Sequence, residues 1–300
     1  LPVELERGAW NRIRSWFGGG DKVPWSDGAI AHLDFEKKSV KSKEMANLAQ
    51  PDKPAKVRHA LEVIEKGPVG GAMLMQGDDE LALPRMADFK EWDDFSFALW
   101  LRPQEKRERA VVIASSRGGV DDGRGFEVIM EHEVLSFALM HFVPGNEIRI
   151  RAKKPLPLNE WTHLAFTYNG SSRASGMKMY WNGELLETEV VHDNLIKDIA
   201  RRKDWGDIDL DQIRFTLGGR DHDSPLKNCG VDDYWVFARD ISLAEVKLLA
   251  NKKPNRNDWF EWFAERTSDA RKVEKQLLAA RRYRTAVING VHEMMVMKEL

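Results

Sequence analysis

Residues 161–183 read WTHLAFTYNGSSRASGMKMYWNG, and this stretch decides the fold class. Apolar and polar residues alternate from Trp161 to Tyr168 and again in the run that ends at Trp181, which is the period-two pattern of half-buried strands. Each run is followed by Asn-Gly. Asn-Gly between alternating segments favours a hairpin turn, because the turn needs positive φ at both central residues. The stretch therefore predicts antiparallel strands joined by tight turns.

The same strand-like pattern extends in both directions, from about Ala29 to Ala250. It consists of short alternating runs separated by Gly, Asn, Asp and Pro. The further strand candidates are Ile30–Phe35, Ala72–Met75, Phe95–Arg102, Ala110–Ser115, Phe126–Met130, Ser136–His141, Glu147–Ala152, Glu184–Thr188, Ile213–Gly218 and Val231–Phe237. So many short strands without intervening helices predict an all-β fold with two antiparallel sheets packed face to face.

Helical patterns flank this β region and set the predicted domain boundaries. Residues 1–25 hold an aromatic helical arm that ends at a glycine triplet, and Ser242-Leu-Ala-Glu245 is a capping box that starts a short helix. Residues 256–284 have the pattern of one longer amphipathic helix. We therefore expect a β domain over 26–252 and a helical segment over 253–300 that leads into a further domain.

Charge and composition narrow the function classes. The 46 Lys and Arg residues against 48 Asp and Glu give a net charge of −2, so no overall positive field would draw the chain to nucleic acid or to an anionic membrane. No apolar run approaches the roughly 20 residues of a membrane span. A signal-peptide pattern is missing, but the chain begins at Leu1 without Met, which is typical of an excised piece of a longer protein.

Cysteine offers no redox or metal motif. Cys229 is alone, so the chain has no internal disulfide and no Cys-x-x-Cys zinc or redox site. The haem-attachment motif Cys-x-x-Cys-His is missing too, so no haem is expected in this chain. We expect Cys229 to be a small buried hydrophobe.

Six segments in order resemble a known family. They are Phe95-Ser-Phe-Ala-Leu-Trp-Leu-Arg102, Asn159-Glu-Trp-Thr-His-Leu-Ala-Phe-Thr-Tyr168, Lys178-Met-Tyr-Trp-Asn-Gly183, Leu217-Gly-Gly-Arg220, Val231-Asp-Asp-Tyr-Trp-Val-Phe237 and Ser242-Leu-Ala-Glu-Val246. This succession resembles the laminin-G-like jelly rolls of the concanavalin A-like lectin and glucanase type, over about two-thirds of the chain. The resemblance implies a two-sheet antiparallel jelly-roll sandwich with helical N- and C-terminal extensions.

A narrower likeness concerns three loops and strands. Gly125-Phe-Glu-Val128, His141-Phe-Val-Pro-Gly-Asn146 and Gly170-Ser-Ser-Arg-Ala-Ser-Gly176 are similar to the jelly roll found in large planctomycete-type proteins. In those proteins a c-type cytochrome domain and two domains of unknown function flank the jelly roll. The resemblance implies an exported parent protein, an extracytoplasmic location and flanking domains as partners.

The sequence does not predict catalytic residues. Glucanases with this sandwich carry Glu-x-Asp-x-Glu on one strand, which places the reacting carboxyls on one face. That string does not occur here; Glu131-His-Glu133 puts two acids on one strand face without completing a dyad. His-Glu-x-x-His, Gly-x-Ser-x-Gly and a phosphate-cradling glycine loop are missing as well. A glucanase-like hydrolase is only a minor alternative.

The family resemblance implies one structural Ca²⁺ at a sandwich edge. The matching positions are Asp34 or Glu36 in the first strand region and Asp233 in the last. A second acidic string, Asp207-x-Asp-x-Asp211, lacks the glycine and terminal glutamate of a calcium-binding EF-hand loop, so we interpret it as a solvated loop.

The candidate ligand site combines planar polar groups with one aromatic side chain. Arg117, Glu127, His141 and Arg220 lie on or beside strands that pair in the jelly roll this chain resembles, and Trp205 lies in a loop ahead of the Ile213 strand. We hypothesise that they converge on the concave sheet, as in a shallow sugar-binding groove. The alternative is an ion-paired sheet face with an incidental tryptophan.

Large aromatic residues supply the predicted core. Trp100, Trp161, Trp181 and Trp235 lie on alternating strands, and we interpret them as core or sheet-packing residues. The sequence hypothesis is thus a non-catalytic, lectin-like module that binds a polysaccharide or other glycan. The alternative is a structural domain that docks flanking domains through a sheet face or through the aromatic C-terminal helix.

Overall fold

The computed structural model describes residues 27–41, 43–58, 62–77, 79–84, 86–116, 123–200, 215–220 and 223–291. The predicted N-terminal helical arm, the acidic string at 207–211 and the C-terminal tail beyond residue 291 lie outside these ranges.

The described residues form two antiparallel sheets, with strands numbered in chain order. The eight-stranded sheet consists of β1 (Ala29–Leu33), β5 (Glu62–Gly67), β6 (Gly70–Gln76), β8 (Asp94–Pro103), β13 (Thr162–Asn169), β14 (Met177–Trp181), β15 (Glu184–Leu185) and β18 (Lys227–Phe237). Its strand order is β15-β14-β13-β8-β18-β6-β5, and β1 also pairs with β18.

The second sheet has ten strands. They are β2 (Val40–Lys41), β3 (Glu44–Met45), β4 (Ala55–Val57), β7 (Leu81–Leu83), β9 (Arg109–Ala114), β10 (Gly125–Glu131), β11 (Val134–Phe142), β12 (Asn146–Ala152), β16 (Thr188–Asp193) and β17 (Phe215–Leu217). The order is β16-β12-β11-β10-β9-β17-β7-β4-β3-β2. The predicted all-β sandwich is confirmed.

The two Asn-Gly pairs behave differently. Asn182 and Gly183 have φ of 49° and 80° and form the two-residue turn between β14 and β15, as predicted. Tyr168 pairs with Met177, so Asn169-Gly170 instead opens a longer connection between β13 and β14. The prediction of a tight turn at that point is wrong, because the connection continues to Gly176 and includes a short 3-10 helix at Ala174–Gly176.

An aromatic core fills the space between the sheets. Phe95 and Phe97 of β8 face Phe126 of β10, with both ring centroids 5.3 Å from that of Phe126. Phe137 of β11 adds an edge-on contact to Phe97 at 6.4 Å. Cys229 is 1% exposed, which confirms the buried hydrophobe. These contacts show that one face of each sheet points inward, which leaves two outer faces.

A short helix covers part of the outer face of the eight-stranded sheet. Helix α1 (Leu243–Leu249) begins with the predicted capping box, in which the Ser242 and Glu245 side chains each accept the backbone amide of the other residue. Val246 and Leu249 pack against apolar side chains of the sheet, among them Ala98, Ala165, Tyr180 and Phe237.

Two helices follow where the sequence predicted one. Helix α2 spans Arg256–Glu265 and helix α3 spans Ser268–Asn289. The chain stops being helical at Arg266, and the Thr267 side chain accepts the backbone amide of Ala270 as the cap of α3. The prediction of a single helix over 256–284 is wrong, because the Thr267-Ser268-Asp269 stretch is itself a helix-start signal.

Helix α3 contacts the sandwich through its C-terminal half. The Thr285 hydroxyl donates to the Glu91 carboxylate, and Arg281 Nη1 donates to the Asn169 carbonyl at 2.6 Å. Val273 and Leu277 on the same helix are 62% and 47% exposed. Within the described ranges, no helix is long and apolar enough to cross a membrane.

Candidate functional site

The outer face of the ten-stranded sheet carries the residues predicted to bind a ligand. On β10, Phe126 and Val128 belong to the core, so Glu127 between them points to the opposite side. Glu127 pairs across the sheet with Ala138 of β11, and Ala138 pairs with Arg149 of β12. Alternation along each strand therefore places Glu127 and Arg149 at the same level of β10 and β12, on the outer face of the sheet.

Glu127 lies between two arginines. Its Oε2 accepts a hydrogen bond from Arg220 Nη1 at 2.7 Å, and its Oε1 accepts one from Arg149 Nη2 at 3.0 Å. Glu127 and Arg220 are 5% and 6% exposed. The structure thus brings these two predicted site residues into direct contact, in a buried, charge-assisted pair.

Arg220 has further acceptors, so that all three nitrogens of its guanidinium donate hydrogen bonds. It donates to Ser116 Oγ at 2.5 Å, to Asp223 Oδ2 from Nε at 3.2 Å, and to the same carboxylate from Nη2. Arg109 donates to both Asp223 oxygens, at 3.0 and 3.1 Å. Burial opposes ionisation of Asp223, yet the hydrogen bonds from Arg109 and Arg220 hold its pKa well below the usual range.

His141 belongs to a separate contact. Its Nδ1 lies 2.5 Å from the Asp198 carbonyl oxygen, and its Nε2 lies 3.1 Å from Arg124 Nη2. A neutral ring with the proton on Nδ1 satisfies both, since Nδ1 then donates to the carbonyl and Nε2 accepts from the guanidinium. His141 and Arg124 are both 8% exposed. None of these contacts joins His141 to Glu127 or Arg220.

The accessible polar groups of this face lie toward its edge strands. Arg149 also donates to Glu147 Oε2 at 3.3 Å and keeps 18% of its side chain exposed. His192 of β16 contacts the other Glu147 oxygen at 3.3 Å and is 46% exposed. Arg151 is half-buried, and its side chain has no hydrogen bond or ion pair to any described residue. A ligand on this face would meet these side chains first.

The sequence reasoning missed Arg149, Arg151 and His192, although a signal was present. Glu147-Ile-Arg-Ile-Arg151 alternates with period two, which places its charged residues on one face. Two of the predicted ligand residues, Arg117 and Trp205, lie outside the described residues.

The acids at Glu131 and Glu133 do not share a strand face. His132 and Glu133 have φ of 49° and 62° and form the turn between β10 and β11. Glu131 accepts from Arg109 at 2.8 Å, and Glu133 accepts the Arg107 backbone amide at 2.8 Å. The interpretation of a strand with two acids on one face is wrong, because the hairpin turns before Glu133.

The sandwich edge near β1 collects several acidic groups. Asp233 Oδ1 lies 2.9 Å from His32 Nε2, and Asp34 Oδ1 accepts the Glu36 backbone amide at 3.3 Å. Glu36 Oε1 accepts the Gly71 amide at 3.1 Å. Of the predicted calcium ligands, Asp233 is thus engaged by a histidine, whereas Glu36 reaches the β5–β6 hairpin.

Asp232 is the least satisfied acid at this edge. It is fully buried, its Oδ2 accepts the Val69 amide at 2.9 Å, and its Oδ1 has no hydrogen-bond partner among the described residues. Burial raises the pKa of Asp232 to about 7, and the charges of Asp233 and Glu36 add to the shift. Within the described ranges, His, Cys, Asp and Glu form no group of three that could hold a metal ion by side chains alone.

A model of the family described as the concanavalin A-like lectin/glucanases superfamily matches residues 75–247, which is more than half of the 300 residues. No curated protein matches the chain.

Solved structures share the fold at low identity. The binding domain of Paraclostridial Mosquitocidal Protein 1 superposes with a TM-score of 0.54 and 17% identity over 76% of this chain and 52% of that one. The receptor binding domain of botulinum neurotoxin D gives 0.52 and 14%, over 76% and 53%. The binding domain of botulinum neurotoxin DC in complex with SialylT gives 0.51 and 16%, over 76% and 52%. The chain spans about half the length of these structures, and the likeness concerns the fold alone.

Proposed function

We propose that this chain, which belongs to the concanavalin A-like lectin/glucanases superfamily, is a non-catalytic module that binds a polysaccharide or other glycan. In this proposal the module is part of a larger exported protein, as the sequence resemblance implies. One observation supports the proposal. The buried carboxylates on the outer face of the ten-stranded sheet are ion-paired, whereas neighbouring arginine and histidine side chains stay accessible.

The carboxylate geometry argues against glycoside hydrolysis. Hydrolysis of a glycosidic bond needs two carboxyl groups facing the same bond, one as acid and one as nucleophile or base. Both oxygens of Glu127 accept from arginine, and both oxygens of Glu147 contact Arg149 or His192. Among the described residues of this face, these acids therefore act as anchors for cations.

The same contacts suit recognition of hydroxyl groups. Arg149, Arg151 and His192 expose planar polar groups on a sheet face, and buried acids fix the orientation of Arg149. A small number of polar groups held in a fixed geometry is typical of small-ligand and sugar sites. The neurotoxin DC binding domain, which shares the fold, is known in complex with SialylT, which supports a glycan as the class of ligand.

Retention on immobilised glycans tests the proposal. We expect the protein to be retained by at least one plant or algal polysaccharide, sulfated ones included. Arg151→Ala and His192→Ala should each weaken retention, because both groups are accessible and neither supports the core. Lys252→Ala, an exposed cation just after α1, is the matched control and should change nothing. The proposal is wrong if no polysaccharide retains the protein.

Helix α3 favours a second candidate function, the docking of a flanking domain. The spacing of three apolar residues places them along one stripe of the helix. They are Val273, Leu277 and Val287, and each is at least 47% exposed. An exposed apolar stripe of this kind is typical of a helix that packs against a partner. Loss of all glycan retention in the experiment above would favour this docking role.

A structural Ca²⁺ at the β1 edge is a further part of the proposal. Ca²⁺ takes carboxylate and backbone carbonyl oxygens. The carboxylates that fit are those of Glu36 and Asp232, since Asp232 Oδ1 is buried without a partner. The Phe35 carbonyl, which approaches Gly71, would add a backbone ligand. Asp232 thus replaces Asp233 in the ligand set that we propose.

Thermal unfolding tests the calcium proposal. Because an ion that binds only the folded chain raises the unfolding midpoint, saturating Ca²⁺ should raise it above the value in EDTA. Asp232→Asn should abolish this shift and Asp233→Asn should retain it. No shift in the wild-type protein would exclude calcium, and loss of the shift only in Asp233→Asn would restore the ligand predicted from the sequence.

A further inference from the structure

Helix α3 exposes a line of residues that repeats every seven positions. Its members, which we call the α3 seam, are spaced by four and three residues in turn: Val273, Leu277, Ala280, Arg284 and Val287. All five side chains are exposed. Alternating spacings of three and four residues are the pattern by which one helix packs along another in a coiled coil. The seam therefore has the form of a surface for a second helix.

The α3 seam lies beside the contact between α3 and the sandwich. Thr285 and Arg281 make that contact, to Glu91 and to the Asn169 carbonyl. Successive residues of an α-helix are rotated by about 100°, so the seam lies roughly a quarter turn or more away from these two residues. The sandwich therefore leaves the seam open along its length. Its one charged member, Arg284, forms no hydrogen bond or ion pair with any described residue.

The helical arm that the sequence predicts at the N-terminus carries a second seam of the same kind. Its members are spaced by three and four residues in turn: Val3, Glu6, Trp10, Ile13 and Phe17. Pro2 is typical of the first turn of a helix, and Gly18 of its stop. Glu6 is the one charged member of this seam, and its charge is opposite to that of Arg284. Because so short a helix is only marginally stable alone in water, it needs a surface to pack against.

The position of Asp27, the first described residue, brings the arm close to the start of α3. Arg239 Nε donates to the Asp27 carbonyl at 2.6 Å, and Arg239 Nη2 donates to Glu245 at 2.8 Å. Glu245 also accepts from Arg266 at 3.1 Å, and Arg266 lies two residues before α3. The chain thus enters the sandwich beside the N-terminal end of α3.

The linker between the arm and Asp27 sets the direction of the arm. Residues 18–26 can span at most about 30 Å. Phe17 can therefore lie beside Val273, near the start of α3. It cannot easily lie beside Val287, which is about 30 Å further along the helix from Arg266. The arm must then run antiparallel to α3.

We infer that the N-terminal arm packs antiparallel along the α3 seam, as a two-helix coiled coil within one chain. With Phe17 beside Val273, every member of one seam meets a member of the other. The five facing pairs are Phe17 with Val273, Ile13 with Leu277, Trp10 with Ala280, Glu6 with Arg284 and Val3 with Val287.

Two of these pairs fix the register. The only charged members, Glu6 and Arg284, face each other, and a polar residue in an apolar seam specifies register. Trp10, the largest member, faces Ala280, the smallest, so the helices can approach closely at that level. The inference goes beyond the proposed glycan role and does not depend on it. It assigns to the chain's own arm the stripe that the docking role leaves to a flanking domain.

Disulfide formation in the full chain tests whether the two seams face each other. We expect the pair Ile13→Cys and Leu277→Cys to oxidise about tenfold faster than the pair Ile13→Cys and Ala279→Cys, because a bridge needs Cα atoms within about 7 Å. Ala279 is the matched control, since it is exposed near the same level on the opposite side of α3. Native Cys229 is 1% exposed and should not compete. Non-reducing gels and peptide mass spectrometry identify the bridge.

Charge reversal tests the register. Trypsin cleavage after Arg12 and Arg14 measures how well the arm is protected. Arg284→Glu places two acids opposite each other, so cleavage should become about fivefold faster, the scale of one ion pair lost and one repulsion gained. Adding Glu6→Lys to this variant should restore the slower cleavage. Lys275→Glu reverses an exposed charge on the other side of α3 and should leave the cleavage rate unchanged.

The possible outcomes separate the candidate occupants of the seam. Equal oxidation rates for the two cysteine pairs overturn the inference and leave the stripe to a flanking domain. A bridge found only between two chains also overturns it, because the occupant is then a second copy. Fast cleavage that Glu6→Lys does not reverse overturns it too, since the two charges then do not meet. Failure of the wild-type protein to bind any glycan overturns the proposed function alone.

Discussion

At Arg220, one guanidinium connects polar groups from β10 and from two neighbouring loops on the outer face of the ten-stranded sheet. It contacts Ser116, Glu127 and Asp223, and its own side chain is only 4% exposed. Glu127 and Arg220 form the ion-paired arrangement that the sequence left open as the alternative to a ligand site, and their role in binding stays a prediction. The sequence could not show that they bond to each other, since strand alternation gives the face of a side chain and not its partner.

Replacement of Arg220 measures how much of this network is structural. Arg220→Ala would leave buried Glu127 and half-buried Asp223 with fewer cations, and removal of one partner of a buried ion pair costs about 3–5 kcal/mol. We expect a large fall in the urea midpoint of unfolding. Lys153→Ala, which breaks the exposed Lys153–Glu187 pair, is the control and should leave the midpoint unchanged. Equal midpoints for all three proteins would show that the network is not needed for folding.

This expectation changes how the ligand site should be tested. Arg220 and His141 are 6% and 8% exposed, so a substitution there would mix lost binding with lost stability. Arg151 and His192 are the better probes, because they lie on the accessible part of the same face. Which residues of a sheet face stay accessible depends on the loops above it, and loop paths are not encoded in strand alternation.

At the scale of single elements, local patterns predicted most of the β-structure. The alternating runs locate β8, β13 and β14 to within one residue at most ends, and the capping box locates the start of α1. The pattern failed for the shortest strands, such as β2 to β4. Strands of two or three residues carry too few side chains for a period to show, and they form only because a neighbouring strand supplies hydrogen bonds.

The helical end of the chain shows a second reason why a sequence pattern can predict the wrong element. Hydrophobic periodicity continues from α2 into α3, so period alone predicts one helix, whereas the Thr267 cap divides it. Strand alternation is more informative for the two tryptophans Trp100 and Trp161. Their type indicates a core or sheet-packing position, and for Trp100 the alternation with Phe97, Leu99 and Leu101 already places the side chain on the face opposite the core.

For the whole molecule, two buried titratable groups give opposite pH dependences. Glu91 lies under α3, where Thr285 donates to it. Burial raises its pKa from 4.5 to about 8, with a smaller contribution from Asp198. His163 lies beside the Trp100 ring in the eight-stranded sheet, where burial lowers its pKa from 6.5 to about 3.

The direction in which stability changes with pH depends on whether the folded or the unfolded chain binds the proton more tightly. Between pH 4.5 and about 8 the folded chain keeps Glu91 protonated while the unfolded chain ionises it, so stability falls as the pH rises through this window. Between pH 6.5 and about 3 the unfolded chain protonates the histidine while the folded chain keeps His163 neutral, so stability falls as the pH drops. Opposed slopes of this kind leave the greatest stability in the mildly acidic range.

Glu91→Gln removes the Glu91 contribution to the alkaline side of this curve, where Asp232, with its pKa raised to about 7, contributes a slope of the same sign. Glutamine keeps the Thr285 contact and carries no charge, so the loss of stability between pH 5 and pH 8 should become smaller than in the wild-type protein. Urea unfolding at several pH values gives the two slopes directly. Asp88→Asn is the matched control, because Asp88 is an exposed carboxylate three residues away, with 86% of its side chain in solvent, and it should leave the slope unchanged. If Glu91→Gln and wild type lose stability in parallel, Glu91 is already ionised in the folded chain, and a buried proton makes no contribution to the contact between α3 and the sandwich.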